Sequence, residues 1–228
     1  MNKTSIGIGV AVVGALALAA YFFLGRTPEA PAPEASGQAA TTESAAPAPA
    51  AGDLPALYED DHVMGRPEAP VTMIEYSSLT CPHCATFSND VLPRLKTDYI
   101  DKGLVRLVYR DFPLNRPALD AALLASCVDP ARYFSMIDVL FRTQDTWTGL
   151  ENPQVGLRQI GRTAGLDEAR MDACLADQAV TERIVARTQE AQQRWNIDST
   201  PTFVINGAVH RGALAYDAYV EILKPLLP

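Results

Sequence analysis

The sequence predicts an α/β domain with a block of helices inserted between its strands, preceded by an apolar N-terminal helix and a proline- and alanine-rich linker. Three observations predict it. Apolar, β-branched runs of strand length occur at residues 71–76, 104–109 and 202–205. A helical pattern of about 80 residues separates the second run from the third. The composition also changes near Asp53, from proline, alanine and small polar residues to an ordinary globular mixture. With 48% hydrophobic residues in a chain of 228, the part after Asp53 can bury a core of its own. The net charge of −8 argues against non-specific nucleic-acid binding, which needs a basic surface.

Residues 1–25 open the chain with Lys3 and then carry no charged side chain from Ile6 to Gly25. About 20 apolar residues cross a bilayer core of roughly 30 Å at 1.5 Å per residue. The segment reads as an uncleaved anchor, with a cleaved signal peptide as the alternative: Ala17, Leu18 and Ala19 fit a cleavage site, but cutting there leaves Tyr21, Phe22 and Phe23 on the new terminus. The first cysteine is Cys81, which excludes a lipoprotein. Either route carries the rest of the chain out of the cytoplasm. Residues 26–57 form a linker whose near lack of large apolar side chains cannot offset its ordering entropy. The domain follows at 58–228, with the helical insertion at about 114–194.

Within that domain, residues 71–76 are a buried strand broken by Ser77, Ser78, Leu79 and Thr80. After Cys81 the pattern turns helical, with Phe87, Val91 and Leu95 on one face and Pro93 expected to kink it. Residues 104–109 are the second strand. In the helical block, Asp129-Pro130 and Asn152-Pro153 each put a capping side chain before a proline, and Gly165 suits a helix C′ position. Residues 202–205 are the third strand, Asn206-Gly207 is a hairpin turn, and 209–211 return. A helix over 216–227, interrupted by Pro225, ends the chain. Met136, Val139 and Leu140 read as core, Trp147 and Trp195 as packing residues, and His62 and His210 show no ligand spacing.

The chemistry lies in Cys81-Pro82-His83-Cys84, a C-x-x-C at the mouth of a helix. There the orphan N–H groups and the positive end of the helix dipole stabilise a Cys81 thiolate. Pro82 suits the first turn, where its missing N–H costs nothing. His83 adds a donor or a positive charge. Cys84, one turn on, is the resolving thiol. Whatever stabilises that thiolate makes the Cys81–Cys84 disulfide a stronger oxidant and Cys81 a better leaving group. A C-x-x-C is also half of a zinc site, but no second knuckle accompanies it, and no metal is expected.

Residues 73–84 and 199–207 together resemble the two signatures of the thioredoxin-fold superfamily, and within it the DsbA-like thiol:disulfide oxidoreductases. Arg110 to Leu114 and the helical insertion are similar to the same branch. The resemblance implies a thioredoxin fold over residues 58–228 with Cys81 as nucleophile and Cys84 as its partner. It implies a cis Thr200-Pro201 bond facing the disulfide, with Thr200 and Pro201 receiving a substrate peptide as an added strand. It implies a buried carboxylate at Glu75 able to relay protons to Cys84. It further implies no bound cofactor, reduced secreted clients, and a DsbB-type membrane quinone oxidase as reoxidant. A monomer is expected, held in the periplasm by the apolar residues 6–25.

Cys127 and Cys174 fall in the helical block. An oxidising compartment favours a structural disulfide between them; two buried free thiols or a second redox centre are the alternatives. The expected function is donation of the Cys81–Cys84 disulfide to folding proteins. A disulfide isomerase or reductase of the same fold, or a redox-inert peptide-binding chaperone, are the competing readings.

Overall fold

The computed structural model describes residues 54–228. The expected membrane anchor and all but the last residues of the linker lie outside the described residues. No helix among the described residues is long and apolar enough to cross a membrane.

Five strands form one sheet, β1 (His62–Met64), β2 (Val71–Ser77), β3 (Val105–Asp111), β4 (Thr202–Ile205) and β5 (Ala208–Arg211), in the spatial order β1-β3-β2-β4-β5. β2 and β3 run parallel, and every other pair is antiparallel. The parallel pair needs a crossover, and the helical segment after Cys81 supplies it. That segment begins with α1 (Pro82–Thr86), widens into a π-helical turn at Phe87–Val91, tightens in α2 (Leu92–Leu95) and widens again at Lys96–Ile100. The irregularity has a cause in the sequence. Pro93 has no N–H to offer the preceding turn, and its ring crowds that turn's carbonyl, so the helix loosens just before it rather than breaking.

Alternation along the strands sorts the core into layers. Met73, Leu107 and Phe203 face the α1–α2 segment and α9 (Tyr216–Leu223), meeting Phe87, Leu95 and Tyr219. Ile74, Val108 and Val204 face the other way, against Ala191 and Trp195 of α8 (Gln178–Trp195). Between β3 and β4 lie α3 (Arg116–Ala125), α4 (Tyr133–Arg142), α5 (Gln144–Thr148), α6 (Pro153–Thr163), α7 (Glu168–Leu175) and α8. Asn152 caps α6 by accepting from the Gln154 N–H, and Asp129 caps the 3₁₀ turn that leads into α4. Gly165 has φ +87°, and Asn206 and Gly207 both have positive φ, as a two-residue hairpin requires.

Two readings of the sequence change. β1 was too short to register as a pattern; it exists because it pairs with β3, and His62 stacks on Tyr133 of α4 at 3.3 Å between ring centroids. Val139 is exposed, not core, because the buried face of α4 runs through Tyr133, Met136, Ile137, Leu140 and Phe141. Ahead of β1, Arg110 of β3 forks onto Asp61 at 2.7 and 3.1 Å in a buried ion pair, and Tyr58 donates to Glu190 of α8. These contacts fix the residues preceding β1 against both layers.

Candidate active site

Cys81 stands at the N-cap of α1, with extended backbone (φ −86°, ψ 119°), and Pro82 follows at the first helical position. The strand ends at Ser77, and the turn through Ser78 closes with the Cys81 N–H donating to the Ser78 carbonyl at 3.0 Å. The next segment to reach this point is the start of β4. The Thr200–Pro201 peptide is cis, and the Thr200 carbonyl accepts from the Cys81 thiol at 3.3 Å. Residues 119 positions apart in sequence therefore meet at one sulfur.

Cys81 and Cys84 are both free thiols, 6% and 0% exposed. Their environments push them in opposite directions. The Cys84 thiol donates to the Cys81 sulfur, and with the Thr200 hydroxyl and the backbone N–H groups of Cys84 and His83 it outweighs burial and pulls the Cys81 thiol down to about 5. The thiol's own bond to the Thr200 carbonyl favours the protonated form, so the Thr200 hydroxyl is the part of that residue that favours the thiolate. That hydroxyl is buried and has no hydrogen-bond partner in the structure, which leaves it free to donate. Burial, the bond to Cys81 and the Glu75 charge hold Cys84 far above an ordinary thiol. The His83 side chain is exposed, and His83 faces the sulfur through its backbone N–H.

Beneath the cysteines lies Glu75, on the same face of β2 as Met73 and therefore under α1. It is 2% exposed, and its Oε1 has no partner. Burial pushes its carboxyl up to about 8, opposed by the neighbouring Ser77 hydroxyl and assisted by the Cys81 charge. At neutral pH it is mostly protonated. Behind it opens a cavity of about 440 Å³ whose lining includes Leu92, Leu107, Tyr109 and Phe141. The Tyr109 hydroxyl, on the residue paired with Glu75 across the sheet, is likewise buried and unpartnered.

Cys127 and Cys174 are bonded, joining the turn after α3 to α7 with 6.1 Å between their Cα atoms. No group of three or more potential metal ligands occurs among the described residues.

Two residues escaped the sequence reading. Ser77 is fully buried, and its hydroxyl faces both Glu75 and Cys84. Its position two residues past Glu75 on one strand was the available signal. Gln144 is 3% exposed and donates through Nε2 to the carbonyls of Leu79 and Cys81 at 2.9 and 3.1 Å. Nothing local marked it, since it reaches the site from more than 60 residues away.

Comparison with known proteins agrees with this geometry. The family profile described as thioredoxin matches residues 58–225. A Rickettsia bellii protein, provisionally named a protein-disulfide oxidoreductase, is 33% identical over 152 residues, 66% of this chain and 59% of the relative. The chain thus spans about three fifths of that relative's length. Disulfide bond formation protein D of Bacillus subtilis is 28% identical over 177 residues, 71% of this chain and 75% of that protein. The crystal structure of Wolbachia pipientis α-DsbA1 superposes with a TM-score of 0.71 at 29% identity, covering 78% of this chain and 96% of that one. A thioredoxin sheet with a helical insertion, a C-x-x-C at a helix mouth and a cis-proline facing it are thus joined in one chain, which belongs to the thioredoxin family, in its DsbA-like branch.

Proposed function

We propose that this chain is an extracytoplasmic thiol:disulfide oxidoreductase that donates its Cys81–Cys84 disulfide to folding proteins. The observation that carries the reading is the opposed pair of sulfurs: one buried at a helix mouth and easily deprotonated, the other deeply buried and reluctant to ionise. An easily ionised Cys81 stabilises the reduced pair, so the disulfide is a strong oxidant.

In the exchange, a client thiolate attacks Cys81 Sγ of the disulfide and Cys84 leaves. The departing sulfur takes a proton from Glu75, which holds one at neutral pH. A second client thiolate then attacks the client sulfur of the mixed disulfide and Cys81 leaves as a thiolate. The client loses two electrons and gains a disulfide, and the Cys81–Cys84 pair takes up the electrons. Glu75 recovers its proton from solvent through the cavity behind it. Thr200 and Pro201 receive the client backbone beside the sulfur. Electrons then pass to a DsbB-type quinone oxidase, and residues 6–25 tether the domain in the periplasm, with the linker giving it reach. Cys127–Cys174 is a structural crosslink in this scheme.

Equilibration of the full chain with glutathione buffers tests the proposal. A couple far more oxidising than thioredoxin is expected; a value near about −270 mV rejects the donor reading in favour of a reductase. Loss of thiol oxidation in Cys81→Ala separates catalysis from simple peptide binding.

A further inference from the structure

The catalytic turn belongs to the thioredoxin unit, but it is held from outside. Two residues of it, Leu79 and Cys81, on either side of Thr80, present their carbonyls to one side chain, the amide of Gln144 at the start of α5. The Cys81 carbonyl is the more consequential of the two. It also accepts the Ala85 N–H at 3.1 Å, the first bond of α1, so Gln144 grips the residue whose backbone sets where the helix begins. The N–H groups of His83 and Cys84 that face the sulfur are donors of that same first turn.

Gln144 is itself held rigidly. Its own carbonyl accepts from the Thr148 hydroxyl at 2.8 Å. The corner between α4 and α5 is closed by Trp147, buried, whose indole N–H donates to the Leu140 carbonyl at 2.9 Å. α6 presses on that corner at Gly156, where an added Cβ would fall 2.6 Å from the Trp147 Cβ. The amide is thus the end of a braced arm, and its length matches the gap to the turn.

We infer that Gln144 is a positioning residue through which the helical insertion sets the geometry of Cys81 against Thr200 and the first turn of α1. The inference rests on the disulfide-donor reading for its consequence, though not for its contacts. Replacing Gln144 by methionine keeps the length and removes both donors, leaving two buried carbonyls short of a partner. The turn then relaxes, the donors facing Cys81 lose their alignment, and the reduced pair loses its advantage.

The test is made on the full chain. In Gln144→Met, the equilibrium with glutathione shifts roughly fivefold toward the disulfide form, and the ultraviolet thiolate titration of Cys81 moves upward. Gln144→Glu, which preserves shape but sets a carboxylate against the two carbonyls, shifts both further in the same direction. Asn152→Ala removes the α6 cap and destabilises the insertion without touching the turn; it lowers the melting temperature and leaves potential and titration where they were. If the Gln144 variants lose stability but match the parent in both readouts, the residue is structural only and the inference is wrong. Should neither variant fold, the unaltered chain still decides: slow hydrogen exchange of the Gln144 side-chain amide in both redox states is expected, and fast exchange contradicts the clamp. A parent chain with a thioredoxin-like potential would sink the donor reading instead, and the two failures are distinguishable.

Discussion

One chain holds two cysteine pairs, and physical chemistry treats them differently. Cys81 and Cys84 are separated by two residues in a single helical turn, at the seam between the sheet unit and the insertion. Cys127 and Cys174 are separated by 47 positions and join two elements of the insertion. The first pair is surrounded by groups that discriminate between thiol and thiolate: a hydroxyl, helix N–H groups and a buried carboxyl. The second pair packs against the apolar core of the insertion, beside Met171 and Leu175, with the Arg170 guanidinium reaching only the Cys127 backbone carbonyl at 3.0 Å. Reactivity therefore comes from the neighbours of a sulfur and not from its being able to form a disulfide. Sequence separation works the other way: a long loop gives a crosslink the larger stabilising value, and a short one gives roughly half as much.

Four experiments sharpen or break this contrast. Cys81→Ala has the largest effect, abolishing thiol oxidation by the full chain, while Cys127→Ala/Cys174→Ala retains it; activity that survives the first change or disappears in the second erases the distinction. The Cys127→Ala/Cys174→Ala chain unfolds more easily, by up to roughly 4 kcal/mol for a loop of that length, with the glutathione equilibrium of the other pair unmoved. Urea titration and redox equilibration read these separately.

Glu75→Gln acts through pH. Burial raises the Glu75 carboxyl from its ordinary range to about 8, so its protonated form suits the folded state. The associated stability is complete below the unfolded carboxyl's range, near 4.5, and is lost as pH climbs through 8. The glutamine variant is therefore close to the parent in stability at pH 4 and more stable by on the order of 4 kcal/mol at pH 8, yet slower in thiol exchange. Equal stability at both pH values would show that Glu75 has another partner. The smallest effect is expected for Thr200→Val, which removes a hydroxyl facing the Cys81 sulfur. The titration of Cys81 rises and the redox equilibrium shifts by up to about tenfold, with little change in folding. A silent Thr200→Val would transfer the stabilisation to the helix mouth alone.

The sequence made different parts of this molecule visible for different reasons. The strands at 71–77 and 202–205 and the C-x-x-C were legible because their signals are local: β-branched runs, Pro82 after a capping position, Asn206-Gly207 at a turn. Thr200 and Pro201 were placed by resemblance, since nothing in a lone Thr-Pro dipeptide brings it to a cysteine 119 positions away. β1 and Gln144 stayed hidden because each is defined by a distant partner, β3 for one and the Leu79 and Cys81 carbonyls for the other. Val139 misled because helical spacing from Met136 allows two directions around α4, and only the packed structure shows which one faces the core.

The contrast between the pairs reduces to the acidity of one sulfur. Thiolate absorbance of the reduced full chain, followed from pH 3 to pH 10 and compared with Cys81→Ala, measures it directly. The account predicts a single inflection near 5 that vanishes in the variant, with Cys84 remaining protonated through the range. An inflection in the ordinary thiol range, near 8.5, or one that persists without Cys81, contradicts it.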